Sequence, residues 1–282
     1  MLTKPVELHP YHIGKSVGDM LTEIDRAGRG PLREDGMPSS GVFYPFNVKA
    51  CPKQGYADPT LFDIDPKMPL TYTIKAGQSA SAAITSLIQG PTAVDCAGAV
   101  QLSMYATMLR TLGAEKFDAL FKRDEEDLEN FPGLRIDRDF DMQNPKNPLG
   151  RYLAMTALSS SEGSSVGDRA APLGSWVYFS NDPDYPRLNP SGFWSGENSL
   201  VCRDQTYKGF GIGDPKSEAK ILSDLAGTFN DTVKKVLSSD DREAALARVS
   251  HPERYTDFTD ITPDDLIWSC LLYTTPSPRD DR

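Results

Sequence analysis

The stretch that most constrains this chain runs from Gly90 to Gly113, GPTAVDCAGAVQLSMYATMLRTLG. Val100, Met104, Met108, Leu109 and Leu112 follow the i, i+4, i+8 spacing of one helix face, and Gly113 supplies a C-terminal stop. The helix begins near Val94 or Asp95, so Cys96 falls at its N-terminal end. That location has chemical meaning. A thiol attacks a carbonyl carbon as thiolate, and a free cysteine with a pKa of ~8.5 is only a few per cent ionised at neutral pH. Unpaired N–H groups and the helix macrodipole stabilise an anion there, and the same N–H groups can hold the oxyanion of a tetrahedral intermediate. Ala97, Gly98 and Ala99 are small and leave room for a substrate side chain. Position alone also fits a small buried core cysteine. Cys51 lies in a loop and Cys202 at a strand end, and neither has a helix terminus beside it.

Composition narrows the class. At 282 residues the chain is near the upper size of a single core, so one elaborated domain is expected. A formal charge of -10 with no Lys/Arg cluster argues against a nucleic-acid partner. No run approaches the ~20 apolar residues of a membrane span, and MLTKPVELHPYH lacks the apolar run of a signal peptide, so a soluble, cytoplasmic protein is expected. The four cysteines, Cys51, Cys96, Cys202 and Cys270, are too few for a disulfide scaffold and include no C-x-x-C pair. The histidines are His9, His12 and His251, and nothing completes a metal-ligand set around them. No EF-hand loop is present, so neither a metal nor any other cofactor is expected. The segment from Cys270 to Arg282, CLLYTTPSPRDDR, resembles the translation of a sequencing-library transposase adapter and is set aside as non-native.

The rest of the chain reads as an α+β fold. Residues 1–69 are a loop-rich wrap with one helix at Val17 to Ala27. Leu70 to Ile74 is a short strand, and Ala76 to Ile88 a helix stopped by Gly90 and Pro91. Glu115 to Phe121 continues as helix into the acidic run RDEEDLEN, a solvated face. Pro132 to Gly174 is polar and turn-rich, with a mobile loop at SSSEGSSVGD. Strands at Trp176 to Phe179, Trp194 to Cys202 and Tyr207 to Ile212 form an antiparallel meander. Lys216 to Leu237 and Asp241 to Val249 are amphipathic helices. The expected organisation is a single domain over 1–269, with 70–213 its catalytic core and 214–269 a helical tail.

Two blocks of this pattern, Leu70 to Phe121 and Gly174 to Gly213, resemble the bacterial spore-coat transglutaminases, protein-glutamine gamma-glutamyltransferases with a compact papain-like core. GPTAVDCAGA and LGAEKFDALF are similar to the cysteine helix and its continuation; WVYFSNDPDY, FWSGENSLV and YKGFGIG are similar to the later strands. The resemblance implies a papain-like or NlpC-type core whose nucleophile helix packs on a small antiparallel sheet. It implies Cys96 as nucleophile, Glu197 and Asp95 as its carboxylate partners, and Trp194, Asn198 and Phe210 as substrate-binding positions. Asp95 stands where the family usually has Glu, and Phe210 where it has a histidine. The implied reaction is acyl transfer from protein glutamine to a lysine amine, forming an isopeptide cross-link. The alternatives are an NlpC-type cysteine amidase or peptidase, a glutamine deamidase, or an inactive binding relative. A carboxylate of pKa ~4.3 facing a thiol of ~8.5 is short by roughly 6 kcal/mol of proton affinity. The site is therefore expected to raise Glu197 by burial against Phe193, Trp194 and Leu200, and to lower the thiol through the helix end.

Overall fold

The computed structural model describes residues 10–26, 31, 34, 38–43, 57–65, 68–123, 133–137, 147–152, 155–159, 173–266 and 268–273, with backbone alone for 10–16, 65, 68–69, 151, 155–159, 203 and 268–273. In chain order the first elements are α1 (Pro10–Arg26), β1 (Val42–Phe43), β2 (Phe62–Asp65), β3 (Met68–Ile74), α2 (Ala80–Gln89), β4 (Thr92–Ala93), α3 (Cys96–Leu112) and α4 (Ala114–Phe121). There follow β5 (Arg135–Ile136), α5 (Pro148–Tyr152), β6 (Met155–Ser159), β7 (Trp176–Ser180), α6 (Tyr185–Leu188), β8 (Gly196–Val201), β9 (Tyr207–Gly209), α7 (Glu218–Leu237), α8 (Arg242–Leu246) and β10 (Trp268–Tyr273). Helices and small sheets are mixed as an α+β fold requires.

The cysteine helix is the axis of the molecule. Every residue of α3 from Ala97 to Met108 is buried, not only the apolar face read from the spacing. Helices α1, α2 and α4 pack on it, and β8 closes the remaining side. Enclosure obliges its polar residues to find partners inside the protein. Ser103 and Thr107 donate to the carbonyls of Ala99 and Ser103, each at 2.8 Å. Gln101 reads the backbone of Asp137 from both ends, donating at 2.7 Å and accepting at 3.0 Å.

A five-stranded sheet, ordered β6-β10-β7-β8-β9, lies beside this helix layer. The run β7-β8-β9 is the expected antiparallel meander, with Trp176 opposite Leu200, Tyr178 opposite Asn198 and Phe179 opposite Glu197. Side chains alternate across a strand. Trp176 and Leu200 accordingly join the core around α3, while Val177, Phe179 and Val201 join a second cluster under α7. A smaller antiparallel sheet, β2-β3-β5, packs the helix layer elsewhere, and β1 pairs with β4 in parallel just before the cysteine.

Several expectations change. Helix α2 starts at Ala80 instead of Ala76 because the Ser79 side chain caps it, accepting from the Ala82 amide. The segment read as turns over 132–174 contains β5, α5 and β6, pieces of two to five residues too short to show a period. The tail set aside from Cys270 enters the sheet: β10 pairs with β6 on one side and β7 on the other. Its apolar run suits a strand, whatever the origin of the segment. Residues 124–130, the acidic run, and 160–168, most of the serine-rich loop, lie outside the described residues.

Among the ion pairs that helix α1 makes with the rest of the protein, two differ in kind. Lys208 on β9 is 2% exposed; it pairs with Asp25 and donates to the Gly213 carbonyl. Arg110 and Glu23 pair at 2.9 Å with side chains 62% and 57% exposed. Removing one partner of a buried pair strands a charge, whereas an exposed pair contributes little. Asp25→Ala is expected to cost about 3 kcal/mol in urea unfolding and Glu23→Ala less than ~1 kcal/mol. Equal losses in the two variants would show that burial does not decide their worth.

Candidate active site

Cys96 is the first residue of α3 and Asp95 its N-cap, with Asp95 Oδ1 accepting from the Gly98 amide at 2.7 Å. The entry is held from the other side by backbone, since the amides of Thr92 and Val94 donate to Gly41 and Phe43. Capping satisfies one of the helix's orphan donors and fixes where the thiol begins. The small residues after it have a different purpose from the one expected. A Cβ at Gly98 would lie 3.1 Å from Val94 Cβ, 3.2 Å from Asp95 Oδ1 and 3.3 Å from Ile136 Cγ2. Gly98 lets the capped turn and β5 close on the helix and is buried in protein, so it opens no room for substrate.

The side chain that meets the sulfur is Asn198. Its Nδ2 donates to Cys96 Sγ at 3.1 Å, and its Oδ1 accepts from Trp176 Nε1 at 2.7 Å. Tyr178, directly opposite Asn198, shares this face; its phenol lies over Gly196, where a Cβ would come within 2.3 Å of the Tyr178 hydroxyl. Burial, followed by the charges of Cys96 and Glu197, pushes the Tyr178 phenol up to about 12, so it remains a neutral O–H.

Glu197 leaves β8 on the opposite face from Asn198, toward α7. It is 4% exposed, and its Oε1 has no hydrogen-bond partner among the described residues. Its carboxyl leans across the edge strand: a Cβ on Gly209, the partner of Ser199, would sit 1.9 Å from Oε1, so a side chain there would force the carboxyl to move. Burial raises its pKa to about 8 against the opposing pull of Lys216 and Lys208. The half-buried Cys96 thiol is also pushed up, to about 12, by burial and then by the charges of Glu197 and Asp95, with the side-chain and backbone hydrogen bonds of Asn198 acting the other way. Raising Glu197 was expected; lowering the thiol was too, and burial overrides the helix end. Both groups are raised, so the thiol stays the weaker acid.

The remaining expected positions are spread out. Trp194 is half-buried between the two clusters on the α7 side, and its carbonyl accepts from Asn181 Nδ2 at 2.7 Å. Phe210 is packed in the core around α1 and α3 and has little surface to offer a substrate. His9 and Cys51 lie outside the described residues, and of His12 only the backbone is described. His251 is exposed and pairs with Glu253 at 3.0 Å. Cys96 and Cys202 are both free thiols. Among the described residues no group of three or more His, Cys, Asp or Glu is placed to hold a metal ion. No described helix is long and apolar enough to cross a membrane. Trp176 and Tyr178 were missed as site residues, because their place beside Asn198 depends on the β7–β8 register. The only signal was their spacing of two in one strand.

The described elements form a mixed helix-and-sheet protein with a thiol at the head of its central helix. The sequence model of the protein-glutamine gamma-glutamyltransferase family matches residues 53–235, and the chain belongs to that family. Membership carries a transglutaminase-type transferase function at the family level, with proteins as substrates. No individual curated protein matches the chain.

Glu197 generates a stability prediction. Its folded pKa is raised above the unfolded value, so the native protein keeps a proton that the unfolded chain has released. The stability tied to that proton is complete below the unfolded pKa near ~4.3 and is lost as pH rises through the folded value of about 8. Glu197→Gln should melt with native protein at pH 4 to 5 and above it at pH 8 to 9, by a few kcal/mol, in calorimetry across that window. Parallel melting curves at all pH values would refute the buried, proton-retaining carboxyl.

Proposed function

We propose that this chain is a protein-glutamine gamma-glutamyltransferase of papain-like architecture in which Cys96 carries the acyl group as a thioester. The observation that carries the reading is Cys96 as the first residue of a buried helix, 3.1 Å from Asn198 of the W-x-G-E-N element, inside the span that matches the family.

Cys96 Sγ attacks the side-chain carbonyl carbon of a protein glutamine, and the carbonyl oxygen takes the negative charge. N–H groups of the first turn of α3 are the nearest fixed donors for it. The tetrahedral adduct expels ammonia, which leaves with the proton that the thiol released, so the C–N bond is exchanged for C–S. A lysine amine then attacks the thioester, the C–S bond breaks, the sulfur regains a proton and an isopeptide bond remains. Water in place of the amine gives deamidation. Glu197 is the proton acceptor and donor in this scheme, supported by its burial and its pKa of about 8. Glu197 lies across the pleat of β8 from Asn198 and makes no hydrogen bond to the sulfur in the resting protein, so in this scheme the proton passes between them through water or the substrate. Asp95 acts here through the cap it makes on the cysteine helix. A reducing cytoplasmic compartment would keep the thiol free.

Incubation with a glutamine-containing protein and a labelled primary amine tests the proposal. Native protein should incorporate label, Cys96→Ala none, and Glu197→Gln at least about a hundredfold less. Asp95→Ala should cost about 1 kcal/mol of stability and slow the reaction without abolishing it. Ammonia release without incorporation would assign deamidation instead, and full activity in Cys96→Ala would end the proposal.

A further inference from the structure

The contacts of Asn198 are directional. An indole N–H donates and never accepts, so the atom 2.7 Å from Trp176 Nε1 is the amide oxygen. With the oxygen committed, the end of the amide that faces Cys96 Sγ at 3.1 Å is the N–H end. A flipped amide would oppose two donors at Trp176 and place oxygen against sulfur. Trp176 is 4% exposed, so few waters are at hand to repair such a mispairing. The two residues come from neighbouring strands and stand diagonally on one face, because Trp176 pairs with Leu200 and Asn198 with Tyr178.

We infer that Trp176, Asn198 and Cys96 form a directed hydrogen-bond relay, in which Asn198 is a catalytic residue that stabilises the anionic sulfur and Trp176 a positioning residue that turns the donor end of its amide toward it. The inference rests on the reading of Cys96 as nucleophile and adds what makes its anion accessible. A neutral thiol is a weak acceptor, whereas a thiolate takes a charge-assisted bond. An N–H aimed at the sulfur therefore favours the ionised form, by about tenfold or more in population. The relay stands where it is needed. Burial and two nearby carboxylates oppose ionisation of Cys96, and Asn198 supplies the only side-chain hydrogen bond to the sulfur among the described residues. The histidine position of the family motif is filled by Phe210, which has no hydrogen bond to give.

The test is a double-mutant cycle on the alkylation of Cys96 by iodoacetamide at pH 8, followed on the Cys96 peptide by mass spectrometry. Asn198→Leu, close to asparagine in shape, should slow alkylation about tenfold or more. Trp176→Phe should slow it about threefold to tenfold in the native background and not at all in the Asn198→Leu background. Slowing by the same factor in both backgrounds would make Trp176 a packing residue and overturn the relay, as would a native rate in Asn198→Leu. Should Trp176→Phe not fold, Asn198→Asp decides alone. Its oxygens only accept when ionised, so it must be at least as slow as Asn198→Leu, and a native rate refutes the relay. Amine incorporation by the same proteins reads the parent proposal separately: native protein that alkylates but incorporates nothing removes the transferase reading and leaves the cycle to judge the relay.

Discussion

A helix enclosed on every side, as α3 is from Ala97 to Met108, cannot leave its first N–H groups to water, and the rest of the structure answers to that constraint. Asp95 takes one of those groups, and the backbone ladder of β1 and β4 fixes the chain that leads into the cap. A side chain at Gly98 would crowd the cap, Val94 and β5, each of which would have to give by a few tenths of an ångström. Cys96 inherits its position from these contacts. It is the first residue past the cap, at the rim of the enclosed region, and the side of α3 that faces the five-stranded sheet brings β8 and Asn198 against it.

Strand alternation then divides the polar residues of β8 between two environments. Asn198 and Glu197 are sequence neighbours, yet the pleat sends one toward the thiol and the other under α7. Each raised acid keeps its proton at rest because burial penalises a second negative charge in the same region. A thiol raised by burial is a poor nucleophile at rest. Chemistry then depends on groups that favour the anion when substrate displaces what solvent remains. Directed donors such as the Asn198 amide act without adding charge, which a carboxylate or an imidazolium would do.

Much of this was legible in the sequence, and the omissions have physical causes. The periodicity of Val100, Met104 and Met108 with Gly113 as stop was sufficient to place α3 and put Cys96 at its start. Its enclosure was not visible, because Ala, Ser, Thr and Gln count as a polar face until their back-bonds to the helix and to Asp137 are seen. The β7-β8-β9 meander was readable from its turns. Whether the thiol meets Asn198 or Glu197 was not, since that turns on one residue of register against a helix a hundred positions earlier. Phe210 and Trp194 are substrate-binding positions by resemblance, while their surroundings, a buried core for Phe210 and a half-buried seam for Trp194, depend on packing that the motif does not encode. The pairing of β10 was not readable, because the tail from Cys270 was set aside for its likeness to an adapter, a question of origin that strand pairing leaves untouched.

The periphery bears on the site through charge. Helix α1, which precedes the span shared with the family, brings Asp25 to Lys208, the residue before Gly209 on the strand over which Glu197 leans. Lys208 and Lys216 draw the proton affinity of Glu197 down, and Asp25 restores part of it. An unpaired Lys208 would leave its full charge beside a carboxyl that has no hydrogen bonds on Oε1, and the carboxyl would ionise more readily. The ion pair that fastens α1 thus also sets the charge balance around Glu197. A segment outside the shared span is in this way coupled to the proton affinity of the carboxyl that the proposed chemistry uses for proton transfer.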